Sequence, residues 1–113
     1  MSIKQITLTD GIKVGEIIHK DVEFRDLTAG DILEANEEAE RVVQLNDGTV
    51  SVATSAARLG MELLRRRITR FGEIKIPLSL TELLKISEAD LEALQDAVSE
   101  LDTLRKVSEQ GRS

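Results

Sequence analysis

The sequence contains 113 residues, about the size of one domain, with 15 basic and 21 acidic side chains and a formal net charge of −6. It has no Cys, one His, no Trp or Tyr and two Phe, which excludes disulfides, thiolate or multi-histidine metal sites and aromatic ligand cages. The acidic balance argues against nucleic-acid binding, and no apolar run approaches the roughly 20 residues of a membrane span. The first residues form no signal-peptide apolar core, so we expect a cytoplasmic protein. From the composition and length we expect a non-enzymatic protein with a single domain over residues 1–113.

Charge is distributed unevenly along the chain. Residues 1–50 hold five basic and eleven acidic side chains, residues 51–75 hold six and two, and residues 76–113 hold four and eight. The balances of these segments are −6, +4 and −4. A basic segment between two acidic ones indicates either neutralisation within the chain or a surface for an acidic partner or a second copy.

The apolar pattern of residues 1–26 predicts a β-hairpin region. From Ile3 to Phe24 the apolar residues fall mainly on even positions, the period of half-buried antiparallel strands. Breaks at Asp10-Gly11 and Gly15-Glu16 each offer a turn, because glycine adopts positive φ without a Cβ clash. We expect two to three short antiparallel strands, packed on the rest of the chain because a lone ribbon is marginally stable in water.

The sequence of residues 28–107 predicts about four α-helices. Together with the N-terminal hairpin, these helices predict an α+β fold. Three helix starts share one pattern, in which a Ser or Thr N-cap is followed by an acidic residue three positions later and flanked by apolar residues. These starts fall at Thr28, Ser79 and Ser87. The tail, residues 108–113, is expected to fray.

The first two helices are predicted from apolar residues that recur three and four positions apart. The first carries its stripe from Ile32 to Val43 and is expected to end at the Asn-Asp-Gly sequence of residues 46–48. The second is expected to run from residues 51–54 to Phe71. Gly60 lies in its interior, where glycine costs about 1 kcal/mol relative to alanine unless a neighbour packs closely there.

Candidate catalytic groups lack the neighbours that chemistry requires. His19 stands alone in the strand region and is expected to be exposed, and the pairs Glu37-Glu38 and Asp90-Glu92 have the pattern of solvated helix faces. The turn at residues 28–31 has one glycine and no lysine, unlike a phosphate-binding loop. The sequence therefore predicts no catalytic, cofactor-binding or metal-binding residue and no small-molecule substrate.

The densest positive cluster is Arg65-Arg66-Arg67 with Arg70. Nucleic-acid binding would favour interleaved aromatic residues and no flanking acidic segments. Because the guanidinium group offers a planar fork of donors suited to carboxylates, we expect Arg65, Arg66 and Arg70 to make electrostatic contacts with acidic helices, in the same chain or in a neighbouring subunit.

The C-terminal helices carry more aliphatic side chains than a short helical pair needs for one small core. Two interpretations stay open: these side chains cover the hairpin, or they bind a partner helix or a second copy. The residues predicted to bind a partner are Leu80, Leu83, Leu84, Leu91, Leu94, Val98, Leu101 and Leu104.

Residues 22–32 read Val-Glu-Phe-Arg-Asp-Leu-Thr-Ala-Gly-Asp-Ile, and two further motifs follow in order, Arg-Ile-Thr-Arg-Phe-Gly at residues 67–72 and Leu-x-x-Ser-x-x-Asp-Leu-x-x-Leu at residues 84–94. The Ile6-Thr7-Leu8 strand with a following glycine precedes them. The ordered set, over roughly residues 6–104, resembles the tail assembly chaperones of Mu-like and P2-like contractile-tailed phages. Their first motif is V-x-L-R-x-P-T-A-G-D-L, and Leu27 stands here where the family often has proline.

The resemblance implies a non-enzymatic prophage or bacteriophage protein that binds the long, largely helical tape measure protein and keeps it soluble during tail assembly. It also implies a host-cytoplasmic chaperone that is absent from the mature virion, and in many such phages a translational frameshift extends the chaperone. Self-association is expected as well. The alternatives are a structural adaptor or minor component of the phage tail and a small DNA-binding regulator built on the arginine helix.

Overall fold

The computed structural model describes the backbone of residues 3–110 and the side chains of residues 4–103. Strands β1 (Ile3–Val14) and β2 (Ile17–Arg25) form the predicted N-terminal antiparallel hairpin, which turns at Gly15, where φ is +62°. The other predicted break, at Gly11, is a bulge within β1, where the register shifts between Thr7 and Ile12. Strand β5 (Ile68–Phe71) pairs with β2 and completes a sheet with the order β1-β2-β5.

A second hairpin replaces the end of the first predicted helix and the start of the second. Helix α1 (Ala29–Glu38) ends early, and strands β3 (Glu40–Gln44) and β4 (Val50–Thr54) pair as a separate two-stranded sheet, called here the ribbon. The Asn-Asp-Gly sequence is its turn rather than a helix stop. Thr49 donates to the Asp47 carboxylate through its hydroxyl (2.6 Å) and its backbone N–H (3.0 Å), and these bonds hold the pKa of Asp47 below its usual value.

Four helices are present in the described part of the chain, as expected for this α+β fold: α1, α2 (Ala56–Arg67), α3 (Leu80–Leu83) and α4 (Glu88–Gln110). The predicted helix starts are confirmed by their hydrogen bonds. Thr28 forms a capping box with Asp31, Ser79 accepts from the Glu82 N–H and Ser87 accepts from the Asp90 N–H. Helix α2 stops at Arg67, four residues before the predicted end, because Ile68 enters β5.

The core lies where α4, α2 and the loop before α3 cover one face of the three-stranded sheet. Its largest fully buried side chains are Ile12, Val22, Phe24, Phe71, Leu78, Leu83 and Leu94. The radius of gyration is 16.5 Å, whereas a compact domain of this length has about 13 Å. The described fold is therefore flat rather than spherical, with principal dimensions of 51 × 49 × 22 Å.

Candidate binding surfaces

The eight side chains predicted to bind a partner divide between the core and the surface. Leu83, Leu94 and Leu101 are buried in the core. Leu80, Leu91 and Val98 are partly buried, and the Leu84 side chain is 59% exposed. The Leu104 side chain lies outside the described residues. The surface members are therefore the ones that a partner can reach without opening the core.

Leu80 and Leu84 border an open groove between α3 and the first half of α2, called here the α2–α3 groove. Its volume is about 290 Å³, and its walls are Arg41, Ser55, Ala57, Arg58, Met61, Leu80 and Leu84. Leucine and methionine form the apolar part, and two arginines stand at its border. Such a groove fits one apolar side chain of a helix that also carries acidic residues.

Gly60 opens a second groove on the side of α2 that is nearer to α4. This groove has a volume of about 210 Å³ and is lined by Leu27, Gly60, Leu63, Leu64, Arg67, Gln95 and Val98. A Cβ placed on Gly60 would have no heavy atom within 4 Å. No side chain of the described fold therefore packs on this glycine.

Arg65 and Arg66 share one buried carboxylate on their own helix. Glu62 is 2% exposed and accepts from Arg65 at 2.9 Å and from Arg66 at 2.7 Å. Burial raises the pKa of Glu62, but the hydrogen bonds from the two arginines outweigh burial and hold it below the ordinary value of a glutamate. The pair of arginines therefore stabilises a buried charge that would otherwise be costly.

The arginine cluster also reaches two other helices. Arg66 lies 3.7 Å from Glu34 of α1, and Arg67 lies 3.6 Å from Asp102 of α4. Arg70 is on β5, exposed and in register with Glu23 of β2. Much of the positive charge of residues 51–75 thus faces carboxylates of the same chain.

The Arg-x-x-Thr-x-x-Asp part of the first motif builds the junction between β2 and α1. Asp31 accepts from Arg25 at 2.7 and 3.1 Å and from the Thr28 backbone N–H at 2.8 Å. The Arg25 hydrogen bond is the main reason that the pKa of Asp31 lies well below its usual range, and the Thr28 bonds contribute in the same direction. These residues fix the angle at which the chain leaves the sheet.

The ribbon is the most exposed part of the described fold. All ten residues of β3 and β4 are exposed, and they include Val42 (73%), Val50 (70%) and Val52 (61%). Cross-strand pairing sets Val42 opposite Val52, so these valines share a face. The sequence prediction missed this surface because the spacing of Val42 and Val43 also fits a helix.

The expectation of an exposed His19 is wrong, because the residue is 9% exposed. The His19 Nδ1 atom accepts a hydrogen bond from the Glu73 backbone N–H at 3.1 Å. A Cβ on Gly72 would collide with the ring, and one on Gly11 would collide with the His19 carbonyl oxygen. His19 is therefore a packed structural residue between two glycines.

The expectation of a solvated Asp90 is also wrong. Its side chain is 1% exposed and accepts from the backbone N–H groups of Thr9 (2.9 Å), Asp10 (3.2 Å) and Gly11 (2.8 Å). One carboxylate at the start of α4 thus satisfies the donors that the β1 bulge releases. Sequence reasoning could not find this contact, because its partners lie about eighty positions apart.

Neither a metal site nor a membrane span is found in the described residues. No group of three or more His, Asp or Glu side chains there is arranged to hold a metal ion. None of the helices described is long and apolar enough to cross a membrane.

The comparisons identify the class as phage tail assembly proteins. Residues 8–112 match the family model of tail assembly protein gp41 of phage Mu, and the chain belongs to this family. It is similar to the Mu-like prophage FluMu protein gp41 of Haemophilus influenzae, with 39% identity over 87 residues, or 77% of this chain and 68% of that protein. No solved structure matches the chain significantly.

Two Escherichia phage Mu proteins are similar over a longer stretch. The probable tail assembly protein gp41 is 39% identical over 101 residues, which are 86% of this chain and 69% of that protein. The probable tail assembly protein FS-gp41 has the same identity over the same length, but only 53% of it is covered. The family membership supports a role in phage tail assembly.

Proposed function

We propose that the chain is a tail assembly chaperone that binds the tape measure protein and keeps it soluble until the tail tube forms around it. Membership of the gp41 tail assembly family supports the assembly role. The α2–α3 groove is the observation that carries the binding step, because it combines exposed aliphatic side chains with positive charge on an otherwise acidic chain. The role requires no catalytic group.

The groove favours an amphipathic helix as its ligand. Leu84 and Met61 provide a deformable apolar surface, and flexible aliphatic contacts tolerate many related sequences. Arg41 and Arg58 at the border favour a helix with acidic residues beside its apolar stripe. A chaperone of a long, helical partner needs this loose selectivity, because one groove must hold several similar segments.

Co-expression with the tape measure protein of the same phage tests the proposal. The wild-type chain should raise the soluble fraction of the tape measure protein several-fold, and Leu84→Glu should abolish the gain because it introduces a charge into the apolar contact. An equally insoluble tape measure protein with and without the chain would contradict the chaperone role. An unchanged gain with Leu84→Glu would contradict the groove.

The matched control is Leu33→Glu. Leu33 is 61% exposed on α1, close to the 59% exposure of Leu84, but it does not line the groove. Both substitutions should change the free energy of unfolding by less than about 0.5 kcal/mol, because both side chains are solvated in the chain alone. Only Leu84→Glu should lose tape measure binding.

The proposal also places the chain in the host cytoplasm and outside the finished particle. Mass spectrometry of purified virions should find the tape measure protein without this chain. Detection of the chain at a stoichiometry similar to that of tail proteins would favour the structural adaptor instead. Self-association is part of the proposal, because the chain has exposed aliphatic surface away from the groove.

A further inference from the structure

The ribbon has backbone groups that the described part of the chain leaves unpaired. Leu45 donates to the Thr49 carbonyl at 2.8 Å and Ser55 donates to the Ala39 carbonyl at 3.0 Å, and these bonds close the two ends of the β3–β4 ladder. Bonded and non-bonded pairs alternate along an antiparallel ladder. The N–H and C=O groups of Val50, Val52 and Thr54 therefore point away from β3, at the open edge of β4.

This edge lacks the features that usually protect an open strand. Residues 49–57 contain no charged residue and no proline, in a chain of which 32% is charged. Exposed edge strands are normally protected by lysine, proline or a covering segment. A two-stranded ribbon whose valines are exposed is also marginally stable. These properties are typical of a strand that pairs with another chain.

We propose that β4 pairs with β4 of a second copy, antiparallel and centred on Val52, to form a four-stranded sheet across a two-fold axis. In this register Val52 faces Val52 of the copy, and Val50 faces Thr54 on either side. The outward-facing N–H and C=O groups of Val50, Val52 and Thr54 in one copy then form hydrogen bonds with those of the other copy, because every donor lies opposite an acceptor. The inference rests on the proposed self-association and names its interface.

Charge supports a second copy as the occupant. Two chains of net charge −6 repel each other unless their contact is locally neutral, and residues 49–57 form such a segment. The pairing also places the valine faces of both ribbons side by side on one face of the four-stranded sheet. An unrelated strand, such as one from the tape measure protein, is the alternative occupant that the experiment distinguishes.

Sedimentation analysis of Val52→Lys, Val52→Glu and their mixture tests the pairing on the full chain. The wild type should be dimeric, and each variant alone should dissociate at least about tenfold more readily, because like charges meet on the two-fold axis. The equimolar mixture should recover the dimer, because the axis then pairs lysine with glutamate. No other occupant predicts this rescue.

Two further variants separate the edge from the ribbon as a whole. Val52→Pro removes an outward-facing N–H without breaking a ladder bond, so it should weaken the dimer while circular dichroism stays unchanged. Val42→Lys is the matched control, because Val42 shares the face of Val52 but lies on β3, away from the proposed axis. It should leave the dimer within about threefold of the wild-type affinity.

The possible outcomes distinguish the interface from the wider proposal. A monomeric wild type throughout the micromolar range would overturn both the self-association and its interface, without bearing on tape measure binding. Dimeric wild type and equally dimeric Val52 variants would overturn the interface alone. Dissociated variants whose mixture stays monomeric would overturn the two-fold register and favour another occupant of the edge.

Discussion

The chain contains two antiparallel hairpins that differ in what covers them. In the β1–β2 hairpin, Val22 and Phe24 are fully buried, β5 of the same chain pairs along the edge of β2, and α4 packs against β1. In the β3–β4 ribbon every strand residue is exposed, although four of the ten are valine. Strand propensity alone therefore does not decide burial. The first hairpin has its covering elements within the chain, and we infer that the open edge of the second is paired with another copy.

The largest expected effect concerns the contact that fastens the first hairpin to α4. Asp90→Ala should lower the free energy of unfolding by about 3 kcal/mol, because it leaves three backbone N–H groups without their acceptor. Asp90→Asn keeps one acceptor oxygen and should cost less. Urea denaturation measures both variants. A loss below about 1 kcal/mol for Asp90→Ala would show that water replaces the carboxylate.

A matched valine pair compares the two hairpins directly. Val22→Ala should cost about 2–3 kcal/mol, because it leaves a cavity in a core position that is 0% exposed. Val52→Ala should cost less than about 0.5 kcal/mol at protein concentrations where the chain is monomeric, because Val52 is 61% exposed. Equal losses for the two variants in dilute protein would mean that the ribbon is covered within its own chain.

The junction between β2 and α1 predicts a pH-dependent loss of stability. Asp31→Asn should cost about 1–2 kcal/mol at pH 7, where it removes a charged acceptor of Arg25 and part of the capping box. The pKa of Asp31 in the folded chain lies below that of an unfolded aspartate, about 3.9. The ion pair therefore contributes fully above that value, and its contribution is lost as the pH falls below it.

Stability curves of the wild type and Asp31→Asn between pH 7 and pH 2 check this dependence. The difference between the two proteins should be largest at neutral pH and should shrink on acidification below about pH 4. A difference that stays constant with pH would show that the effect comes from packing rather than from the charge.

The smallest effect is a gain in stability at Gly60. A Cβ at this position meets open space, so Gly60→Ala should stabilise the chain by up to about 1 kcal/mol through helix propensity. Gly72→Ala is the contrasting change and should be strongly destabilising, because φ is +55° and the new Cβ would collide with His19. Thermal unfolding should give a higher melting temperature than the wild type for Gly60→Ala and a lower one for Gly72→Ala. A destabilised Gly60→Ala would mean that a neighbour packs at the groove after all.

Local signals allowed much of the fold to be predicted. The N-caps at Thr28, Ser79 and Ser87 involve residues only three positions apart, and alternation of apolar residues identified the first hairpin. The ribbon was missed because Val42 and Val43 continue the spacing of α1, so the same residues fit a helix or a strand. The Asn-Asp-Gly sequence at residues 46–48 was the local signal that favoured the β3–β4 ribbon over a continued helix.

Long-range contacts account for the rest. The burial of Asp90 depends on a bulge in β1, and the burial of His19 depends on Gly72 and Glu73 from a distant part of the chain. Nothing in the sequence near either residue indicates these partners. The groove likewise needs Leu84, Met61 and Arg41 to meet from three elements, although Leu84 itself was among the predicted binding residues.

Hydrogen exchange at two protein concentrations tests most directly whether a second copy pairs with the open edge of β4. The outward-facing amides of Val50, Val52 and Thr54 should exchange freely in dilute protein and become protected at high concentration, while the β1–β2 hairpin keeps the same protection throughout. Protection of these three amides that does not depend on concentration, or fast exchange under both conditions, would contradict the account.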